Sequence, residues 1–355
     1  MLTLPQLAGG LVEARLVLWA MRGDPRRWIG AAQATICACA LAGAFATSPW
    51  ALGIALAIAG PASGVSSTLA VSALVEASPR ARECAMTRWT LASALGDLVV
   101  PLVVAGIAWA GLPWRATLVL VAVLLGAHAV AIVRGPLLTV ALDAAEREER
   151  DVVTLGGALR TPLLLVWLAA LTACTLLDEI LVAFAALHFR QNLGASEVVT
   201  AGAIGAWAAG WTVGLLAVDR LLARTPARPM LLGACVVCAA AVLGWLAAPS
   251  PLLAAVGLFA VGVASAPLYP IASAQAYAAC PGRAALVDVA SHLFTPFEIA
   301  LPWLIGLLAD TCGLRIALAT LVLQPLVLLL VTWLAWPPAR LARQNGRHAR
   351  DESIS

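Results

Sequence analysis

Apolar runs long enough to cross a bilayer as helices recur along this chain every ~25–30 residues, separated by short polar turns. That pattern has no place in a water-exposed fold. With 62% hydrophobic and 12% charged residues, there is too little polar surface to cover one. Strand alternation is absent, which argues against an outer-membrane barrel. The expected fold is an all-α integral membrane protein. Its spans are read at about 4–21, 29–47, 50–76, 87–110, 116–133, 161–187, 196–218, 230–247, 251–277, 285–309 and 316–336, eleven in all.

The connections alternate in charge. One set carries Arg22, Arg26 and Arg27, then Arg80 and Arg82, Arg134 to Arg160, Arg220 to Arg228, Arg283, and the tail from Arg340. The other set is nearly bare, with lone Arg115, Arg190 and Arg315. Basic loops stay in the cytoplasm, so the C-terminus is expected inside and, with eleven spans, the N-terminus outside. This places the protein in the cytoplasmic (inner) membrane.

The chain also repeats itself. Pro25 matches Pro226, Pro49 matches Pro251, Pro79 matches Pro281, Pro101 matches Pro302 and Arg115 matches Arg315, at offsets of 200 to 202 residues. The span at 161–187 has no mate. The expectation is therefore two pseudo-symmetric bundles on a twelve-helix plan lacking the first helix. The divisions are 1–134 for the N-terminal bundle, 135–160 for a cytoplasmic connector, 161–336 for a six-helix C-terminal bundle and 337–355 for a basic tail. A native eleven-span chain is the alternative.

Two lone carboxylates stand at matching places in the repeat, each four residues before a proline: Asp97 before Pro101 and Glu298 before Pro302. A charge at bilayer depth costs about 2.5–3.5 kcal/mol even on lenient scales, so it persists where it lines a wet cavity or has a partner. Thr90, Ser93, Asp97 and Pro101 fall on one helical face; so do Asp288, Ser291, Thr295, Glu298 and Pro302, with His292 beside them. These are read as two polar stripes facing one aqueous cavity. Adjacent Asp178 and Glu179 point about 100° apart on a continuous helix, so one is expected to line the cavity and the other to pair or near the outer surface. Glu13 is a further candidate, with Arg15 and Arg88 as counter-ions or snorkelling groups. Pro267 and Pro270 are expected to bend the helix carrying Tyr269 and Gln275, which are read as substrate-facing. Asp219, Arg220, Arg22, Arg26, Arg27 and Asp288 are read as contacts of an inner gate, or as topology charges.

Cys235 and Cys238 sit in an apolar run where cysteine acts as a small hydrophobe. No metal spacing, nucleophile motif or phosphate loop appears, so no cofactor and no enzyme activity are expected. The Arg-rich tail is read as a topology determinant rather than a nucleic-acid arm.

A duplicated six-span unit with a long central loop resembles the major facilitator superfamily over nearly the whole chain. The segment Met21-Arg22-Gly23-Asp24-Pro25-Arg26-Arg27 keeps the basic residues of that family's signature after its second helix, with Met21 where the acid would stand. Gly214 through Asp219-Arg220 to Arg224 resembles the second-half copy and keeps the acid–base pair. Gly111-Leu112-Pro113-Trp114-Arg115 resembles the turn after the fifth helix. Gly96-Asp97-Leu98-Val99-Val100-Pro101 lies where drug/proton antiporters carry a Gly-Pro-x-x-Gly-Gly motif. The resemblance implies a monomeric secondary transporter working on a small-molecule substrate in the lipid bilayer. Isolated acids point to protons as the coupling ion, and an expected cavity with acids, few aromatics and no centrally placed Arg points to export of a small, partly apolar organic compound. A proton-coupled importer and a non-transporting, truncated membrane protein are the alternatives.

Overall fold

The computed structural model describes residues 3–21, 23–134, 155–281 and 283–336. Arg22, most of the expected connector and the tail from 337 lie outside the described residues. Every regular element among the described residues is helical. We label the long ones α1 (Thr3–Ala20), α2 (Pro25–Phe45), α3 (Pro49–Ala77), α4 (Arg82–Trp109), α5 (Arg115–Arg134), α6 (Pro162–Gln191), α7 (Glu197–Leu222), α8 (Ala227–Leu246), α9 (Pro251–Ala279), α10 (Ala284–Cys312) and α11 (Leu314–Ala335). Helices α2 to α11, ten in number, are long and apolar enough to cross a membrane. The eleventh expected span, α1, is helical over 18 residues but is not among them, because Glu13 and Arg15 interrupt its apolar run.

The repeat is visible in how helices begin. Ser48 caps α3 by accepting from the Ala51 N–H at 3.2 Å, and Ser250 caps α9 by accepting from the Leu253 N–H at 3.4 Å. Pro49 and Pro251 follow in the first turn, where a missing N–H costs nothing. Pro61, Pro101 and Pro302 sit inside continuous helices.

Helix α9 breaks at Ala266 and Pro267, where the sequence placed its bend. Helices α6 and α10 are interrupted as well. Helix α6 is α-helical to Thr172, passes through a 3₁₀ turn over Ala173–Leu177 and leaves helical geometry at Asp178, with φ −110° and ψ −97°. It resumes at Glu179. The freed Leu177 N–H donates to Oε1 of buried Gln324 on α11 at 2.8 Å. Such a partner is needed, since a peptide group at bilayer depth finds no water to satisfy it. Helix α10 likewise passes through a 3₁₀ turn at His292–Phe294, just before Pro296.

Helices α1, α2, α3 and α5 pack into one group, and α6 to α11 into a second with the larger core. The groups meet along α4 with α7 and α9, and along α3 and α1 with the start of α10. Val17, Ala20, Val65 and Leu69 share a buried cluster with Ala285 and Val289 of α10, and Ala94 of α4 shares another with Leu215 and Ala266.

Candidate functional site

The broken helices α6, α9 and α10, together with α4, α7 and α11, surround a cavity of about 390 Å³. Four carboxylates lie on its wall: Asp178 and Glu179 from the break in α6, and Asp288 and Glu298 from α10. Both members of the adjacent acid pair therefore face the cavity. The break removes the 100° separation that a continuous helix would impose. Glu179 stands in the first turn of the helix that restarts there, where the unpaired N–H groups favour an anion. Thr90, Ser93 and Ser291 also line the wall, as does Tyr269. Counting 1.5 Å per residue from the start of α10, Glu298 lies about 21 Å in, halfway along the helix, and Asp288 about 6 Å in.

The other residues singled out in the sequence sit off the wall. Asp97 is exposed on α4, within electrostatic reach of Asp178, and Thr295 is half-buried. Glu13 reaches from α1 to His292 on α10, Oε1 to Nε2 at 3.5 Å, with both side chains largely buried. The Glu13 carboxylate lies over Gly64 of α3, occupying the space a Cβ there would need. Tyr277 donates its hydroxyl to Asp288 Oδ1 at 2.7 Å, while Asp288 Oδ2 is buried with no hydrogen-bond partner among the described residues.

Gln275 is committed elsewhere. Its Nε2 donates to Glu83 Oε1 at 3.0 Å, from α9 to α4. The same end of the molecule holds two more such ties. Arg88 Nε donates to Asp219 Oδ1 at 2.8 Å, and the Ala284 N–H at the start of α10 donates to Glu76 Oε1 at 2.9 Å. Arg220 bonds the carbonyl of Leu216 on its own helix, Arg27 pairs with Asp24 at 3.5 Å, and the Arg26 N–H donates to Asp24. Helices α3 and α4 are thus fastened to α7, α9 and α10 at the end bearing the 78–81 loop.

Arg88 is 69% exposed and Asp219 27%, so solvent screens their pair to about 0.5–1 kcal/mol. Arg88→Asp is expected to loosen this end and raise the labelling rate of buried Cys280 by a soluble maleimide roughly two- to fivefold, read by mass spectrometry in detergent. The double exchange Arg88→Asp with Asp219→Arg should restore slow labelling. Equal rates in all three proteins would show that the pair holds nothing.

Sequence reasoning missed most of the aromatic wall. Trp89, Trp207 and Trp211 line the cavity together with Tyr269 and Tyr277. Trp207 and Trp211 stack, with centroids 5.7 Å apart and planes 11° from parallel. Gln324, which also lines the cavity, was missed too; a lone amide beside Pro325 in an otherwise apolar run was its only signal.

Comparison with known proteins agrees with this geometry. The E. coli fucose:proton symporter FucP, in its outward conformation, superposes with a TM-score of 0.73 at 13% identity, covering 92% of this chain and 87% of that one. The human organic anion transporter MFSD10 gives 0.69 at 17% identity, over 93% of this chain and 81% of that one. The proton:xylose symporter XylE gives 0.67 at 14% identity, over 94% and 85%. At these identities the likeness is one of fold. No curated protein matches the chain in sequence. The description of the Major Facilitator Superfamily matches residues 1–295, the greater part of the chain. A helical membrane protein of this fold, matched over that length, belongs to the Major Facilitator Superfamily of secondary transporters.

Proposed function

We propose that this chain is a proton-coupled transporter that exports a small organic solute across the cytoplasmic membrane by alternating access. The observation that carries the reading is the set of three carboxylates, Asp178, Glu179 and Glu298, on one cavity wall with no hydrogen-bond or ion-pair partner among the described residues. Asp178 and Glu179 are exposed to the cavity and Glu298 is half-buried, so each is free to take up a proton or to meet a cationic group of the solute. Loading the solute displaces protons, and reloading protons expels it. Asp97 extends this set on α4, and the Glu13–His292 pair couples it to the fastening between the groups.

The groups, 1–134 and 161–336 in this reading, rock about the cavity. Arg88–Asp219, Glu83–Gln275 and the bond from the Ala284 N–H of α10 to Glu76 of α3 close the cytoplasmic end, toward which the Arg-rich loops point. Releasing these contacts opens that end and lets the cavity load from inside. One chain suffices for this cycle, and its C-terminus is cytoplasmic.

The test is reconstitution in proteoliposomes loaded with a pH-sensitive dye. Addition of a transported solute should move protons against it, and the rate should follow an imposed pH gradient. Solute flux indifferent to that gradient would overturn proton coupling.

A further inference from the structure

The wall also says what kind of solute it is built to hold. Resting on the reading of the cavity as a transport site, we propose that its substrate is an organic monocation carrying a flat apolar group. The wall brings two features together. It has four carboxyl groups, and among the described residues it has no Arg, Lys or His side chain. An organic anion would find there no counter-charge and four repulsive ones. His292 is within electrostatic reach of Glu298, but its Nε2 faces Glu13 and it does not line the wall.

The second feature is aromatic. Five rings, Trp89, Trp207, Trp211, Tyr269 and Tyr277, line the same cavity, two of them stacked. Aromatic faces attract cations and stack on flat apolar groups, so rings and acids together select one class. A sugar would be served by the hydroxyl and amide groups of Thr90, Ser93, Ser291 and Gln324. However, Gln324 Oε1 is held by the Leu177 N–H, Thr90 bonds the Met86 carbonyl and Ser291 bonds the Asp288 carbonyl. Charge on the acids is compensated by either protons or the cation. One proton released to water for each cation bound leaves the site's charge unchanged, so the exchange is balanced.

The experiment is calorimetric titration of the full chain in detergent at neutral pH with three ligands that share one ring. Benzyltrimethylammonium is the cation, benzyl alcohol the neutral molecule and benzoate the anion. The cation should bind at least tenfold more tightly than either of the others. Glu298→Gln and Trp211→Leu should each weaken it roughly fivefold or more, Trp211→Phe should recover most of the loss, and Trp333→Leu on an exposed face of α11 should change nothing. Equal binding of benzoate or benzyl alcohol, or cation affinity unmoved by Glu298→Gln and Trp211→Leu, would overturn the proposal. Flux separates it from the reading beneath it. A cation that binds with this selectivity yet never crosses a proteoliposome membrane keeps the ligand class and removes transport. A neutral or anionic solute moving with protons, where the cation fails to bind, does the reverse.

Discussion

Glu298→Gln is expected to cut proton-driven flux by on the order of 100-fold while the protein still folds and inserts. Glutamine keeps the shape of the side chain and its place on the wall of the cavity, but it has no titratable proton and no negative charge. Insertion should not suffer, since removing a charge at bilayer depth relieves a cost of about 2.5–3.5 kcal/mol rather than adding one. A loss of flux in a protein that is as stable as the parent, or more so, therefore reports on proton handling. Asp97→Asn is expected to act at the same step, because Asp97 is close enough to feel the charge of Asp178. Its position off the wall predicts a different signature: flux is lost while solute binding measured by calorimetry is kept. Both quantities come from one set of proteoliposomes and one set of titrations. Normal proton-driven flux in Glu298→Gln would remove that residue from the mechanism. A protein that fails to reach the membrane would make its role structural.

The contrast between those two residues shows where sequence was a good guide. A charge in an apolar run is visible because the bilayer penalises it, so Asp97, Asp178, Glu179, Asp288 and Glu298 all stood out before any coordinates; the last four line the cavity, where only one of the 178–179 pair was expected and Asp288 was read as a gate contact, and Asp97 does not. Helices were legible for the same reason. Their starts were legible through Ser-Pro pairs such as Ser48-Pro49 and Ser250-Pro251. Backbone breaks were legible only when proline made them. Pro267 announced the break in α9, whereas α6 breaks at Asp178 with neither proline nor glycine in the turn. That break depends on Gln324, 147 residues away, which no local pattern reports. Gln275 was misleading for a similar reason. A polar residue beside a predicted bend can face a cavity or fasten two groups, and only the position of Glu83 on α4 decides between them. The tryptophans were missed because an aromatic ring in an apolar helix has the same hydropathic character whether it meets lipid, core or solute.

Gly262→Val is expected to be the most destabilising single change at the site, and it tests how the stacked tryptophans are held there. Helices α7 and α9 cross so closely that a Cβ on Gly262 would fall on the Trp207 carbonyl oxygen and lie 2.8 Å from the Trp211 backbone nitrogen. Gly210 meets the Phe259 carbonyl in the same way, and Gly214 lies against Val263 and Ala266. Small residues at such a crossing let backbones touch, which is the main source of helix association where lipid is as apolar as the side chains. Overpacking a core costs about 1–3 kcal/mol when neighbours can rotate away. Here the neighbours are backbone atoms, so the helices themselves must separate, and the upper end of that range is expected. Thermal unfolding in detergent should show a midpoint lower by roughly 5 °C. Separation would also move the backbone that carries Trp207 and Trp211, so affinity for the cation should fall in parallel. Gly205 supplies the control. It lies on α7, the partner helix that carries both tryptophans, a Cβ there meets nothing within 4 Å, and Gly205→Ala should be neutral or mildly stabilising because alanine suits a helix better. If Gly262→Val unfolds no earlier than Gly205→Ala, the close crossing does not set the strength of this contact, and the tryptophan wall must be held in place by something other than the approach of α7 to α9.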